Sequence, residues 1–507
     1  MALCGGCTPA APPAPASTAA ASGERQQWLE MFARGYFPGR SGQVFYVPHE
    51  GDFVVNETDE LEIFVHGSPW EYDTHIPLLV HGPGFVRQGT FTEPVVQQDV
   101  APTLARLLQV PPPPVTTGRA LAEALEPNAA RPGVIALVVL DGMRADYFET
   151  YREAMPALTR LRAEGAWFAN ARVNSLPTAT SGGHATLGTG TDPRVHGIVV
   201  NRLFSRITRS EQEVFHELDP RELMALTVAD LWNVATDGRA RIVVQGGAIR
   251  AAAALAGRGA CLVNGRPVAV ASYSTRDGGW ETNPACYTMP SLLAGLRAER
   301  YWREAGGAWM GHDRATPSRF RYSGLFARFE GDALAAVLQQ EPIGTDDVTD
   351  LVLMNIKTPD YVGHAFGPAS REMREALAEV DRQLARALGI IEAKAGPRGS
   401  VVVITADHGM PDEPPAGRRR ITVQEVAAVL NREFSPSRGP GPVGPDVSIV
   451  EYYNSESNAQ IHLDTARLAA LGRSTRDVAA FLESRFFTAA FTDDEVRAAQ
   501  ARLPLGR

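Results

Sequence analysis

The chain has few cysteines, almost no lysine and no long apolar run. Its four cysteines, Cys4, Cys7, Cys261 and Cys286, are too few for a disulfide scaffold in a protein of 507 residues. Cys4 and Cys7 lack the second pair of cysteines or histidines that a zinc finger or ribbon requires. No apolar run approaches the roughly 20 residues of a transmembrane helix. The composition therefore excludes a small disulfide-rich protein and predicts no transmembrane segment.

Positive charge is also scarce. The only lysines are Lys357 and Lys394, so nearly all basic residues are arginines, and the net charge is −9 at pH 7. A broad nucleic-acid surface needs clustered positive charge, and we expect none here. A small anionic substrate can still be bound by local arginines. The chain length is compatible with one to three domains and a large hydrophobic core.

Residues 1–25 are rich in Ala, Pro and Ser and are predicted to form a disordered tether or a signal remnant. Within them, Leu-Cys-Gly-Gly-Cys resembles the end of a lipoprotein signal, although the charged and apolar regions of such a signal are missing. An N-terminal cysteine is therefore a candidate lipid anchor. A plain flexible terminus is the alternative.

Short β-branched segments alternate with amphipathic ones along the chain. The predicted strands are Val134–Leu140, Ile242–Val244, Val348–Met354 and Val401–Thr405, and the predicted helices include Met155–Glu164, Arg371–Ala395 and Thr475–Ser484. This alternation predicts an α/β fold with a mostly parallel central sheet. The less regular stretch at about 205–345 is predicted to be a cap inserted between the catalytic segments.

Three predicted strands run into acidic residues and histidines. Asp141 directly follows the first, Asp360 and His364 come after the third, and Asp407 and His408 come after the fourth. Ligands of open α/β sheets bind beyond the carboxyl ends of the strands. Carboxylate and imidazole together suit zinc better than magnesium or copper. Each motif alone is ambiguous, because an Asp after a strand is often only a helix cap.

Thr180 is the candidate nucleophile. It lies in Pro-Thr-Ala-Thr-Ser-Gly-Gly-His-Ala-Thr, where small neighbours leave its hydroxyl sterically open. A helix N-terminus at this point would favour a phosphoryl oxyanion. The alternative interpretation is a Thr/Ser-rich N-cap turn.

Taken in order, these motifs resemble the alkaline phosphatase superfamily. The similar segments are Leu-Asp141-Gly-Met-Arg, Thr180 through Thr-Gly-Thr-Asp-Pro-Arg-Val-His-Gly-Ile, Asp360-x-x-x-His364 and Thr-Ala-Asp407-His408-Gly-Met. They are most similar to the branch of nucleotide pyrophosphatases/phosphodiesterases and threonine-nucleophile phosphatases. The resemblance implies a three-layer αβα sandwich with an inserted cap. It also implies a phosphoric ester hydrolase with two zinc ions and a phosphothreonine intermediate.

The resemblance also implies which residues hold each metal ion. One ion is expected at Asp141, Asp407, His408 and Thr180. The other is expected at Asp360, His364 and a further histidine that in these relatives lies near the C-terminus. Here the C-terminal candidate, His462, lies in a strand-like stretch and is interpreted as a structural residue.

His66 is the candidate for the missing ligand. The segment His-Gly-Ser-Pro-Trp-Glu-Tyr-Asp-Thr-His-Ile-Pro, which starts at His66, resembles the block that ordinarily closes the family's chain. We therefore infer a circular permutation, in which residues 26–125 correspond to the usual C-terminal part of the catalytic domain and residues 126–507 form the remainder. Permutation is tolerated where chain termini lie close together at a surface.

Two further residues are expected to contact the substrate. Asn201 resembles an amide that donates to a nonbridging phosphoryl oxygen, with a surface turn as the alternative. Arg250 resembles the arginine of a Lys-x-Arg clamp found in phosphomonoesterases of this branch, but Ala248 stands in the place of the lysine. A monoester carries an extra charge, so loss of the lysine favours a diester or pyrophosphate. A monoesterase and a nucleotide pyrophosphatase/phosphodiesterase are therefore the two alternative activities.

The expected substrate is a small-molecule phosphate ester, and the expected location is extracytoplasmic, either periplasmic or lipid-anchored. A sulfatase would need a Cys/Ser-x-Pro-x-Arg segment, which does not precede His184. Aromatic residues of the predicted cap, Trp280, Tyr287 and Trp302, either stack on a nucleobase or pack in the interior. The non-enzymatic alternative is a metal-binding pseudoenzyme or scaffold.

Overall fold

The computed structural model describes residues 18–56, 61–262, 268–414, 420–435, 448–454 and 459–504. Residues 1–17, with the candidate anchor cysteines, lie outside the described residues. The first helix, Thr18–Gly35, begins within the range predicted to be a tether. Among the described residues, no helix combines the length and apolarity needed to cross a bilayer.

A nine-stranded sheet forms the centre of the molecule. In chain order its strands are β1 (Leu78–His81), β2 (Gly89–Phe91), β3 (Val134–Leu140), β4 (Ala166–Phe168), β5 (Ile242–Gly246), β6 (Ala269–Tyr273), β7 (Trp280–Glu281), β8 (Asp350–Ile356) and β9 (Ser400–Thr405). Their spatial order is β7-β6-β5-β8-β3-β9-β1-β4-β2. The five strands from β6 to β9 are mutually parallel, which confirms the predicted α/β fold.

The sheet is mixed at its two ends. Strand β1 runs antiparallel to both β9 and β4, and β7 runs antiparallel to β6. Every residue of β3 and β8 is buried, as expected for parallel strands with helices on both faces. The α-helices are Thr18–Gly35, Glu71–Thr74, Val100–Leu107, Tyr147–Thr150, Pro156–Glu164, Thr180–Thr189, Pro193–His196, Val228–Ala235, Ile249–Ala256, Gly259–Leu262, Ala298–Glu304, Pro317–Phe320, Gly324–Gln340, Thr358–Phe366, Arg371–Ala395, Val423–Phe434, Thr465–Ala470, Thr475–Arg485 and Asp493–Gln500.

The range predicted as a cap, about 205–345, contributes to the central sheet. Strands β5, β6 and β7 lie within it, and β5 pairs with β8 at the middle of the sheet. Outside the sheet, this range holds short helices and the ribbon Ala308–Trp309 with His312–Asp313. Cys261 and Cys286 form a disulfide in the same range.

A second, smaller sheet forms a lobe beside the central one. Its strands, in spatial order, are Val450–Tyr452, Gln460–Leu463, Val44–Pro48 and Phe487–Thr492, and all the pairings are antiparallel. We call this sheet and its covering helices the small lobe. The helices Thr18–Gly35 and Asp493–Gln500 pack against each other there, and Gln500 Nε2 donates to the carbonyl oxygens of Ala33 and Tyr36, each at 2.8 Å. The described ends of the chain therefore meet in one lobe.

Candidate metal centre

The carboxyl ends of three adjacent strands, β8, β3 and β9, meet at one edge of the central sheet. Asp141 directly follows β3, Asp407 lies two residues after β9, and Asp360 lies on the helix Thr358–Phe366 that follows β8. Thr180 begins the helix Thr180–Thr189 and His66 comes from the N-terminal segment, and both reach the same place.

The first set of donors surrounds one carboxylate oxygen of Asp360. His364 Nε2 lies 3.4 Å and His66 Nε2 lies 3.6 Å from Asp360 Oδ1. That oxygen is buried and receives no hydrogen bond. The Nδ1 atoms of the two rings hydrogen-bond to backbone carbonyl oxygens, of Phe64 for His364 and of Thr178 for His66. Because a carbonyl oxygen only accepts, each Nδ1 carries a proton and each Nε2 is the ligand atom that faces Asp360.

The second set of donors surrounds Nε2 of His408. This atom lies 3.3 Å from Asp407 Oδ2, 3.6 Å from Asp141 Oδ1 and 3.4 Å from the Thr180 hydroxyl oxygen. His408 Nδ1 donates to the carbonyl oxygen of the next residue, so Nε2 is again the ligand atom. Asp407 Oδ2 is buried and receives no hydrogen bond. The two sets adjoin, because the His66 and His408 rings stack with centroids 3.5 Å apart.

The spacing of these donors fits four-coordinate zinc. Zinc binds nitrogen and oxygen at about 2.0–2.2 Å, so neighbouring ligands of a tetrahedral ion lie about 3.3–3.6 Å apart. The distances from Asp360 Oδ1 to the two histidines of the first set, and from His408 Nε2 to the three oxygens of the second, are 3.3–3.6 Å. Three buried carboxylates against one ammonium, that of Lys357, leave an excess of negative charge. The residues present therefore fit divalent cations that accept nitrogen and oxygen ligands.

The pKa shifts at the centre follow from burial and from the charges that lie close together there. Burial acts to lower the pKa of His364, but the Asp360 carboxylate outweighs it and raises that pKa to about 9. Burial and the neighbouring His408 hold the pKa of His66 well below its usual range. Burial and the Asp407 carboxylate raise the pKa of Asp141 to about 6. Carboxylates buried this close together repel one another unless a cation lies between them.

A buried turn holds His66 in place. Asp73 Oδ2 accepts from the backbone N–H groups of Gly67 and Ser68, at 3.1 and 2.8 Å, and from the Ser68 hydroxyl at 2.6 Å. The N–H of Gly409 donates to the carbonyl oxygen of Asp73 at 2.9 Å, which joins this turn to the loop after β9. These contacts bring an N-terminal histidine to ligands that lie about 300 residues later in the sequence.

Two glycines allow the elements to approach closely. Gly142 has a φ of +67°, and a side chain there would begin 2.9 Å from the Cα of Asp360. A side chain at Gly183 would begin 2.7 Å from the carbonyl oxygen of Asp407. Side chains at either position would push the ligand-bearing segments apart.

Asn201 lies at the start of the helix Thr180–Thr189, where it contacts Ser181, the residue after Thr180. Asn201 Oδ1 accepts from the Ser181 N–H at 3.0 Å and from the Ser181 hydroxyl at 2.9 Å. The amide nitrogen of Asn201 is therefore the atom that can donate to an oxygen of a substrate. The helix begins at Thr180, so its first backbone N–H groups also face this region.

His184 supports the centre but does not face it as a ligand. The ligand atoms of Asp141, His184 and Asp407 all lie within 4.8 Å of one another. His184 Nδ1 lies 3.2 Å from Asp407 Oδ2, but it lies closer, at 2.9 Å, to the carbonyl oxygen of Thr180, and His184 Nε2 lies 3.0 Å from the Asn355 amide nitrogen, so both ring nitrogens have hydrogen-bond partners. Asn355 also donates to Asp141 Oδ2 at 2.8 Å. His184 and Asn355 therefore orient Thr180 and Asp141.

Lys357 is the main site residue that the sequence interpretation missed. It directly follows β8, and its Nζ lies 2.7 Å from Asp141 Oδ1, 2.6 Å from Asp360 Oδ2 and 3.0 Å from the Thr180 hydroxyl oxygen. A signal was available, because Lys357 lies three residues after the predicted strand Val348–Met354 and three residues before Asp360. Lysine is not a zinc ligand, so reasoning from metal ligands passed over it.

Arg250 lies on the helix Ile249–Ala256, which follows β5. Its guanidinium binds Glu213 with a distance of 2.9 Å between Arg250 Nη1 and Glu213 Oε1. Ala248, in the place of the clamp lysine, comes just before the helix and contributes no charge. The positive charge of Arg250 is therefore offset by a neighbouring carboxylate.

The three aromatic residues named as candidates for nucleobase stacking are packing residues. Trp280, Tyr287 and Trp302 are each less than 10% exposed. Trp280 stacks on Phe329 with ring centroids 5.2 Å apart. The Tyr287 hydroxyl donates to the carbonyl oxygen of Gly257 at 2.6 Å. The alternative that these rings stack on a nucleobase is wrong, because residues of the interior already cover them.

A family model covers most of the centre. Residues 135–479 match the model described as type I phosphodiesterase / nucleotide pyrophosphatase. This range contains every candidate metal ligand except His66.

Several relatives are alkaline phosphatases. The chain is 26% identical over 328 residues to alkaline phosphatase PafA of Elizabethkingia meningoseptica. This alignment covers 55% of this chain and 60% of PafA. The chain is 28% identical over 347 residues to alkaline phosphatase PhoK of Sphingomonas sp, with 61% and 60% covered. The chain thus spans about three fifths of the length of these relatives.

The crystal structure of wild-type PafA superposes with a TM-score of 0.58 at 20% identity, covering 71% of this chain and 77% of that one. The superposition confirms the predicted fold. Together, the family match and these relatives confirm the expected relationship to the alkaline phosphatase superfamily.

Proposed function

The chain belongs to the type I phosphodiesterase / nucleotide pyrophosphatase family, and from this premise we propose that it hydrolyses phosphoric esters with Thr180 as the nucleophile and two zinc ions as cofactors. The observation that carries the proposal is the position of the Thr180 hydroxyl, 3.4 Å from His408 Nε2 within the second ligand set. The substrate class is small-molecule phosphate esters.

The proposed reaction has two displacements. In the first, the Thr180 hydroxyl gives up its proton to water as its oxygen bonds to phosphorus, the ester P–O bond breaks, and the leaving alcohol takes a proton from water. In the second, water attacks the phosphothreonine, the P–Oγ bond breaks, and Thr180 recovers a proton. Zinc, when bound, supplies charge neutralisation at the phosphoryl group and a lower pKa for the attacking oxygen. The Asn201 amide orients a nonbridging oxygen, and the helix N-terminus favours the same charge.

A circularly permuted catalytic domain accounts for the position of His66. The family match begins at residue 135, whereas the segment at 26–125 supplies β1 of the central sheet and the third donor to the first ligand set. The helices Thr18–Gly35 and Asp493–Gln500 meet in the small lobe, where a permuted chain would need its ends to be close. We propose that residues 26–125 and 126–507 together form this domain.

The second candidate function is that of a nucleotide pyrophosphatase/phosphodiesterase. The pairing of Arg250 with Glu213 favours it, because a compensated arginine contributes less to binding the additional charge of a monoester. The Cys261–Cys286 disulfide supports the expected extracytoplasmic location, where disulfides persist.

The proposal is tested by measuring zinc content together with hydrolysis of p-nitrophenyl phosphate and bis-p-nitrophenyl phosphate. We expect about two zinc ions per chain and turnover of at least one ester. The ratio of the two rates decides between monoesterase and diesterase. A chain that binds zinc but turns over neither ester would instead be a metal-binding pseudoenzyme.

A further inference from the structure

The buried ammonium of Lys357 connects the two ligand sets to the nucleophile. Its Nζ contacts Asp141 of the second set, Asp360 of the first set and the Thr180 hydroxyl, at 2.7, 2.6 and 3.0 Å. The side chain is 1% exposed. Few lysines are this buried, and those that are have carboxylate partners.

The backbone fixes where this ammonium lies. The Lys357 N–H donates to Glu330 Oε1 at 2.8 Å, and the hydroxyl of Thr358 donates to Glu330 Oε2 at 2.6 Å. Glu330 is itself buried on the helix Gly324–Gln340. The ammonium also lies over the Tyr361 ring, 5.5 Å from its centroid. Lys357 is therefore held at both ends and has little freedom to swing away from Thr180.

We propose that Lys357 is a catalytic residue that stabilises the negative charge on the Thr180 oxygen when the phosphothreonine breaks down. This inference rests on the proposed function. In that step water bonds to phosphorus and the electron pair of the P–Oγ bond passes to Thr180 Oγ, which then takes a proton from the attacking water. An ammonium 3.0 Å from this oxygen donates to it as its charge develops.

A hydrogen bond from Lys357 assists the departure of the Thr180 oxygen more than its attack. A hydrogen bond to an attacking oxygen withdraws electron density from it, whereas the same bond assists that oxygen as a leaving group. Loss of Lys357 should therefore slow the second displacement more than the first. The phosphorylated enzyme should therefore accumulate more in a variant without Lys357 than in the wild type.

The test compares Lys357→Met with Lys394→Met, which removes the only other lysine of the chain. Lys394 lies at the end of the helix Arg371–Ala395 and donates to backbone carbonyl oxygens. Each variant is mixed with p-nitrophenyl phosphate in a rapid-quench experiment, and phosphothreonine is measured by intact mass. Bound zinc is measured in the same samples.

For Lys357→Met we expect kcat to fall on the order of 10²-fold, with zinc content unchanged and a burst of product matched by phosphorylated protein. Lys394→Met should behave as the wild type. Lys357→Arg, which keeps the charge, should recover part of the rate. Lys357→Gln replaces the methionine variant in this comparison if the latter does not fold.

The inference is overturned if Lys357→Met keeps the wild-type kcat, or if it slows turnover without accumulating phosphothreonine. It is also overturned if the variant loses zinc and added zinc restores its rate, because Lys357 then only assembles the ligands. Failure of the proposed function is distinct, since the wild type itself would hydrolyse no phosphate ester.

Discussion

The histidines of the metal centre and the histidines buried elsewhere differ in what faces them. At the centre, His66, His364 and His408 each point a ring nitrogen at a carboxylate oxygen 3.3–3.6 Å away. His196 and His462 are equally buried, with 0% and 3% exposure. They face a hydroxyl, a backbone N–H and aromatic rings instead. Burial of an imidazole therefore does not identify a candidate ligand, whereas a ring nitrogen that faces a carboxylate oxygen and has no other hydrogen-bond partner does.

The strand directions of the two sheets explain this difference for His462. Parallel strands bring their carboxyl ends to one edge, so β3, β8 and β9 concentrate polar side chains there. The sheet of the small lobe is antiparallel, and its strand ends alternate between opposite edges. His462 of that lobe packs against Phe204 and Tyr452. The parallel strands of the central sheet therefore bring polar side chains together at one edge, whereas the antiparallel strands of the small lobe do not.

The largest expected effect is at the nucleophile. Thr180→Ala should reduce kcat for p-nitrophenyl phosphate by at least about 10³-fold, because the attacking oxygen is removed. The matched control is Thr189→Ala on the same helix, whose hydroxyl donates to the carbonyl oxygen of Ala185 at 2.6 Å. The control should stay within about threefold of the wild type. Equal kcat values for the two variants would show that Thr180 is not the nucleophile.

The comparison of the two kinds of histidine is tested by replacing one of each. His66→Ala should lose zinc from the first ligand set and lower kcat/KM by about 10²-fold. His462→Leu should keep zinc and activity, because His462 lies among aromatic rings of the small lobe. Zinc content and turnover are measured on both. Retention of full zinc content by His66→Ala would contradict the permuted site.

A smaller effect, on zinc affinity, is expected for Asp73, which contacts the residues next to His66. Asp73→Ala removes the acceptor that holds the turn of Gly67 and Ser68, next to His66. Removing such a supporting group typically costs about 10–100-fold in metal affinity. Competition for zinc with a chelator measures the affinity. Added zinc should restore turnover, whereas a loss that zinc cannot restore would mean that Asp73 acts in another way.

The smallest effect concerns stability at low pH. Burial lowers the pKa of both His196 and His462 to about 3, below the 6.5 of an exposed imidazole. Between about pH 6.5 and pH 3 the unfolded chain therefore binds more protons than the folded protein. The free energy of unfolding falls as the pH falls through this range. At pH 4.5 the loss is roughly 2–3 kcal/mol for each histidine. Urea unfolding of the metal-free protein at pH 7 and pH 4.5 should show a smaller loss for His462→Leu. An unchanged loss would show that His462 is already protonated in the folded state.

The sequence predicted the central part of the fold and the ends of its strands. Val134–Leu140 and Arg371–Ala395 have the predicted bounds, because an uninterrupted apolar run and a long amphipathic period are local signals. The sequence did not place β1, which is antiparallel, or predict β6, which lies in the predicted cap range and pairs with β5. Strand order depends on pairing between distant segments.

By itself, the sequence determined which side chains of the chain could bind metal and phosphate, since the residue types and their place after strands are local properties. Only the tertiary structure decided that His66 lies 3.6 Å from Asp360, that His184 is occupied by Thr180 and Asn355, and that Lys357 contacts the nucleophile. These contacts join segments separated by up to about 300 residues. They exist because parallel strands, a close-approach glycine and a buried turn bring those segments to one edge of the sheet.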